Sequence, residues 1–238
     1  MPLEFNPATN QHTQYIDIPA SSRLDLTTKF TLSCWIYLYS WSSGRFSDFI
    51  SKNNYYGLQL QSNNGGLQVF FRYGSSSWHQ AWINSPESLN TWIHALGTYD
   101  NSLASDNLKL YRNGILSDSR SFTDTILTSP TDTLSIGRMG AGAPTTDGRY
   151  CHGIIDDARV YNRALSANEA ATIYGCRGHD AIIDGLLVRC PMNEKNTNGT
   201  ASGSGSVKDL SSYNSNGTAA GTPVYKDSVL TMRRGQIA

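Results

Sequence analysis

Glutamate is scarce in this sequence: Glu4, Glu87, Glu169 and Glu194 are all there is among 238 residues. Charged residues of every kind make up only 16%, which argues against long surface helices rich in Glu and Lys. Lys plus Arg equals Asp plus Glu at 19 each, so there is no electrostatic case for nucleic acid or an anionic membrane surface as partner. No apolar run approaches the roughly 20 residues that cross a bilayer. The start, MPLEFNP, lacks a basic stretch followed by an apolar one and does not read as a signal peptide; a signal removed earlier would leave secretion open. The cysteines Cys34, Cys151, Cys176 and Cys190 form no CxxC and no Cys/His zinc spacing. They are expected as free, mostly buried thiols, with Cys176–Cys190 the simplest pair if disulfides form. Phosphate-binding and dinucleotide fingerprints are missing, and the five histidines flank no nucleophile elbow.

What is present is Ser, Thr, Asn and Gly in abundance, with 13 Tyr. That mixture suits short strands joined by polar turns. YIDIP (15–19) alternates between apolar and polar, and FTLSCWIYL (30–38) carries large apolar residues on both parities, as a strand buried on both faces does. DFISK, LQLQ, LQVFFRY, WIHALGTYD, DTLSIGR and GIIDDARVYN follow as further strands. LKLYRNGIL holds two strands around Asn113-Gly114, a strong hairpin signal. One helix is expected. Ser166-Ala-Asn-Glu169 has the form of a capping box, 167–174 favours helix, and Gly175 can supply a left-handed stop. Many antiparallel strands with one short helix make an all-β sandwich. After Gly175, DGLLVRCPMNE reads as a strand, KNTNGTASGSGS as flexible sequence, and the end, TMRRGQIA, as poorly ordered.

FTLSCWIYL, WIHALGTYD, LKLYRNG, LSIGR and above all GIIDDARVYNRALSANEAATIY resemble the laminin-G-like, concanavalin A-like jelly-roll family over about residues 3–175. The resemblance implies a sandwich of two antiparallel sheets, one concave, used to bind glycans or proteins. GLLVRCPMNE followed by VKDLSSYNSNGTAAGTPVY resembles that family's opening segment, which ordinarily precedes a stretch like LEFNPATNQHTQYIDIP. The chain therefore reads as circularly permuted: a jelly-roll body at 1–175 and a C-terminal extension at 176–238 that supplies the usual opening strand, in its own subunit or in a neighbour's. Residues 186–191 are expected to be that strand. The tail and IYGCRGHDAIIDGLLVRCPMNE also resemble laminin-G-like proteins of tailed bacteriophages. This implies a virion surface setting, as capsid decoration or fibre component, with capsid or other virion proteins, glycans and an oligomer among the partners. A secreted or cell-surface carbohydrate-binding module is the alternative, and a glycoside hydrolase comes third.

Catalysis has little support in the residues. Glucanases of this fold carry closely spaced acids on one strand face, and retaining hydrolysis needs two carboxyls roughly 5–5.5 Å apart. Asp156 and Asp157 are adjacent on a strand and should face opposite ways. A non-enzymatic role is expected. In related jelly rolls an acid on the last strand joins loop carbonyls at a structural calcium, which implies Ca2+ at Asp157 with Asn6 and the 27–29 loop nearby. The competing reading is a buried carboxylate held by backbone amides or by Arg159 or Arg163. Trp41, Tyr55, Tyr56, Tyr73, Trp78, His79 and Trp82 sit in or beside Ser/Asn/Gly-rich loops and form the candidate ligand surface, since sugar rings stack on aromatic faces. Phe30, Trp35, Trp92 and Tyr99 are expected in the core.

Overall fold

A computed structural model describes residues 1–6, 13–140 and 149–227. Sixteen strands are formed: β1 (Leu3–Phe5), β2 (Tyr15–Ile18), β3 (Lys29–Leu38), β4 (Ser47–Lys52), β5 (Tyr56–Leu60), β6 (Leu67–Gly74), β7 (Ser77–Trp82), β8 (Trp92–Asp100), β9 (Leu108–Arg112), β10 (Ile115–Arg120), β11 (Leu134–Ile136), β12 (Gly153–Tyr161), β13 (Leu186–Cys190), β14 (Gly203–Val207), β15 (Gly217–Ala220) and β16 (Val224–Tyr225). They make two antiparallel eight-stranded sheets. The helix-side sheet runs β10-β9-β8-β3-β12-β1-β16, with β13 also on β12. The cleft-side sheet runs β14-β15-β2-β11-β4-β5-β6-β7. This is the expected sandwich.

Alternation builds the core between them. Phe30, Leu32, Cys34, Ile36 and Leu38 of β3 point inward, toward Leu58, Leu60, Leu67, Val69 and Phe71 of the opposite sheet. The other face of β3 is buried too, under α1 (Ala167–Cys176). There a second apolar cluster joins Leu96, Tyr111 and Tyr161 to Leu165, Ala170 and Ile173. The capping box is complete: the Ser166 side chain accepts from the Glu169 amide while Glu169 accepts from the Ser166 amide. The helix runs past Gly175, and its left-handed residue is Arg177, at φ 49°. The β9–β10 turn has Asn113 and Gly114 at φ 53° and 77°, as a primed hairpin turn demands. A Cβ at Gly114 would stand 3.1 Å from Ala171 Cα, so the glycine also lets the hairpin lie against α1.

Residues 176–227 contribute to both sheets. β13 pairs with the second half of β12, Ala158 opposite Cys190, in the same chain. β1 occupies the first half of that same edge, Leu3 opposite Ile155. β15 flanks β2, and β16 flanks β1, with the Lys226 amide donating to the Pro2 carbonyl at 2.9 Å. Part of the glycine-serine run is ordered as β14, whose register slips between Gly203 and Val207. TMRRGQIA lies outside the described residues. All four cysteines are free thiols, Cys176 exposed and the others buried.

Candidate functional site

Three strands carry glutamine on the parity that leaves the core. Leu58, Leu60, Val69 and Ala81 pack inward, so Gln59, Gln68 and Gln80 face out from the cleft-side sheet. The register sets Gln59 opposite Gln68 and Phe70 opposite Gln80. The amides then link across strands: Gln59 Nε2 donates to Gln68 Oε1 at 2.5 Å, and Gln68 Nε2 to Gln80 Oε1 at 2.7 Å. Beside this ladder lies the Phe70 ring, over Gly57. A Cβ at position 57 would be 2.6 Å from Phe70 Cε1, so the ring needs a glycine there.

Walls rise around this floor. On one side the Arg149 guanidinium sits 4.4 Å above the Phe46 ring and donates to Met139 Sδ at 2.8 Å and Asn54 Oδ1 at 3.4 Å. On the other, Trp78 is 36% exposed and its Nε1 donates to the Asn54 carbonyl at 3.2 Å. The resulting cleft, about 230 Å³, is lined by Phe46, Asn54, Gln59, Phe70, Trp78, Gln80 and Arg149. Aromatic rings, amides and one guanidinium are the side chains that stack on and hydrogen-bond to a hydroxylated ring.

Asp48 faces the same side, opposite Gln59 in the register. It is 0% exposed, and neither carboxylate oxygen has a hydrogen-bond partner. Burial pushes its pKa up to about 7, while the charge of Arg149 and the hydroxyl of the neighbouring Ser51 pull it down. Because the folded value lies above the unfolded one, the folded state holds the proton more tightly, and stability falls as pH rises from about 4 to about 7. Asp48→Asn is expected to remove that loss. Denaturant midpoints at pH 4 should match the parent, and at pH 8 the variant should be more stable by roughly 1–3 kcal/mol, the usual cost of an unsatisfied buried polar group. A variant less stable than the parent at pH 8 would refute this reading.

Of the seven aromatic residues anticipated as a ligand surface, Trp78 lines the cleft. Trp82 shares its face, half-buried, with the Arg120 guanidinium 4.7 Å from its ring. Tyr56 belongs to the core: β5 begins there, its parity turns the ring inward onto Phe30 at 5.7 Å, and its hydroxyl donates to the Leu24 carbonyl. His79 also leaves the expected surface, stacked between Tyr73 at 4.0 Å and Phe122 at 3.7 Å and paired with Asp124 at 2.6 Å. Tyr55 and Trp41 are half-buried against the core, Trp41 covering Gly65. Gln59, Gln68, Gln80, Phe46, Phe70, Arg149 and Asp48 were not anticipated. The signal available was the glutamine repeated on the outward parity of LQLQ, LQVFF and WHQAW.

Asp157 sits in a β-bulge, at φ 46°, where β12 has two residues opposite one of β3. The bulge breaks the alternation on which opposite faces for Asp156 and Asp157 depended. It also marks the point where the partner along this edge changes from β1 to β13. Asp157 Oδ2 accepts from Arg159 Nε at 3.0 Å and Nη2 at 2.5 Å, and Oδ1 from Arg189 Nε at 3.1 Å. Arg159 in turn holds both oxygens of Asp180 at 2.8 Å. These surroundings do not fit calcium: two guanidinium groups already face the carboxylate. Asn6 follows Phe5, which pairs with Gly153, so it stands roughly 13 Å or more along the strand from Asp157. Among the described residues no group of three or more His, Cys, Asp or Glu could hold a metal ion. Of the two readings of Asp157, the arginine-held carboxylate is the one the geometry presents.

A larger hollow, about 490 Å³, lies at the N-terminal end of α1. Of the charged residues lining it, Asp100 pairs with Lys29 at 3.1 Å and Arg163 with Glu169 at 2.5 Å, while Asp106 and Lys109 make no ion pair among the described residues.

A laminin-G-type family model of the concanavalin A-like lectin/glucanases superfamily matches residues 10–171. The chain belongs to that superfamily. No curated protein sequence matches it. Among solved structures, this superfamily member resembles a Bacteroides ovatus protein described as a candidate carbohydrate-binding protein, with TM-score 0.70 and 18% identity over 95% of this chain. The chain spans 60% of that protein's length. It also resembles domain 4 of AbnA, a GH43 extracellular arabinanase from Geobacillus stearothermophilus, in complex with arabinotriose (TM-score 0.51, 20% identity, 66% of this chain and 71% of that one). A third is the CBM40 of the Ruminococcus gnavus IT-sialidase bound to α2,3-sialyllactose (TM-score 0.51, 16% identity, 65% and 86%). At these identities the likeness is one of fold. The described residues contain no helix long and apolar enough to cross a membrane.

Proposed function

We propose that the chain is a non-catalytic glycan-binding module whose ligand sits in the cleft over the glutamine ladder. The observation that carries the reading is the ladder itself: outward-facing amides, almost fully buried, beside a half-open Trp78. Gln59 and Gln68 are 3% and 2% exposed, yet no helix among the described residues covers them. The binding domains of similar fold, two of them solved with an arabinose or sialic acid oligosaccharide, support the same ligand class. Among the described residues the lining includes no carboxylate, and glycoside hydrolysis by the usual route needs two. The resemblance of the tail to phage-encoded relatives supports a virion surface as the setting, with capsid proteins as neighbours. A cell surface would make the same demand on the sandwich, an open cleft.

A glycan array probed with the parent and with Trp78→Ala and Gln80→Ala tests the proposal. The parent is expected to bind a defined subset of glycans, with each variant at least about tenfold weaker, as loss of a stacking ring or a polar contact of about 1.4 kcal/mol predicts. Glycan binding unaffected by both variants would move the site elsewhere. Release of reducing sugar from the bound glycans would overturn the non-catalytic part.

A further inference from the structure

Three half-buried polar residues line the cleft, Asn54, Gln80 and Arg149, and all three present nitrogen to it. The amide ladder has a direction, each glutamine nitrogen serving the oxygen of the next strand, from β5 to β6 to β7. The Gln80 oxygen is therefore taken, and its Nε2 is left over at the open end. Asn54 is in the same position. Its carbonyl accepts from Trp78 and its Oδ1 from Arg149, so its amide nitrogen is what remains. Arg149 has only donors, and its side-chain bonds to described residues both leave from Nη1. None of the remaining nitrogens is a buried atom without a partner, whereas the oxygens of Gln59 and Asp48 are. The accessible rim is thus donor-ended, and the spare acceptors are sealed beneath it.

Charge points the same way. Arginines elsewhere in the sandwich hold carboxylates, Arg112 with Glu87 and Arg138 with Asp17 at 2.7 Å. Arg149 makes no ion pair among the described residues, where its guanidinium meets Phe46, Met139 and Asn54. Asp48 feels its charge from beneath the floor but is fully buried and does not bond to it.

We infer that the cleft selects a glycan bearing a carboxylate, a uronic or sialic acid, over its neutral counterpart, with Arg149 and the spare amide nitrogens donating to the acid and Trp78 stacking on the sugar ring. The inference rests on the glycan-binding reading and names its ligand class. An ionised carboxylate is acceptor-only, and its two oxygens match the fork of a guanidinium. A neutral sugar brings hydroxyls, which accept from the same nitrogens but carry no charge. Hydrogen bonds with an ionised partner are roughly twice as strong as neutral ones, so the acid gains more from the same rim.

Titration calorimetry with matched probes separates the cases: lactose against α2,3-sialyllactose, and galactotriose against trigalacturonate. At about pH 6 Asp48 is mostly protonated and adds no opposing charge. In at least one pair the acid is expected to bind about tenfold more tightly than its neutral partner. Raising NaCl from about 50 to about 500 mM should weaken the acid severalfold and leave the neutral member nearly unchanged. Arg149→Gln should weaken the acid about tenfold and the neutral member far less. Arg149→Lys, which keeps the charge but loses the fork, should retain part of the preference. Circular dichroism melts verify that the variants are folded, and if Arg149→Gln is not, the salt dependence of the parent decides. Neutral members that bind as tightly as the acids in both pairs, an advantage indifferent to salt, or one that survives Arg149→Gln overturns the inference. In that event Trp78→Ala still weakens binding and the glycan-binding reading stands. If none of the four probes binds, the inference falls, and the glycan array alone decides whether the glycan-binding reading falls with it.

Discussion

Truncation after Gly175 is expected to yield insoluble protein. The segment removed pairs with three strands of the body: β13 with β12, β15 with β2, and β16 with β1. Without it each of those strands presents unpaired amides and carbonyls beside an apolar face, a template for aggregation. The apolar cover is lost as well. Leu187, Val188, Met192, Val207 and Tyr225 are each exposed by 1% or less. At roughly 1.5–3 kcal/mol for each buried side chain, the five represent about 8–15 kcal/mol, comparable to the whole stability of a typical domain. The body keeps its own ordering cost while the surface beneath these side chains opens to water. Soluble yield and thermal melts of the truncated chain provide the measurement, and co-expression of 176–238 as a separate polypeptide should restore soluble protein. A soluble truncated chain with the parent's melting temperature would show that the segment is an appendage.

Features set by neighbouring residues could be read from the sequence. The capping box needs only Ser166 and Glu169 on one helical turn, and the primed turn needs only Asn113-Gly114. Both are as expected. Strand parity was also legible, since Leu58, Leu60, Val69 and Ala81 had to share a face. What parity does not tell is which outward residues the loops will enclose. Gln59 and Gln68 look like ordinary solvent positions until Phe46, Arg149 and Trp78 stand around them, and those come from distant parts of the chain. Tyr56 and His79 were assigned to a loop surface because their neighbours are polar. The strands include both residues, and on the parity of Leu58 and Ala81 both side chains turn inward. Asp157 escaped for a different reason: a left-handed residue in a bulge suspends the period of two, and no local pattern in IIDDARVY marks it.

Arg159→Met should be the most damaging conservative substitution in the body. Arg159 is 0% exposed, and its guanidinium spans Asp157 and Asp180 while also donating to the Tyr161 hydroxyl at 3.3 Å. Arg189 completes the group from β13, touching Asp157 and the Gly178 carbonyl. The network therefore ties the bulge, the segment after α1 and the tail strand at one point. Methionine fills much of the space but leaves two buried carboxylates with a single guanidinium. Breaking a buried pair in this way typically costs about 3–5 kcal/mol, which for a domain of this size lowers the melting temperature by roughly 6–20 °C. The pH dependence identifies the cause. Burial alone would raise the pKa of Asp180, but the hydrogen bonds and charge of Arg159 outweigh it and hold the carboxyl below its ordinary value. Stability from this pair is thus present above the unfolded carboxyl pKa, near 3.9, and is lost as pH falls through the lower folded value. The gap between parent and variant is expected to be widest at pH 7 and to narrow as pH falls below about 4, as Asp180 becomes protonated and no longer needs a partner. Denaturant midpoints at pH 7 and pH 3.5 measure it. A variant within 1 kcal/mol of the parent at both pH values would mean that desolvation cancels the attraction within the network, and the bulge would then owe its shape to strand pairing alone.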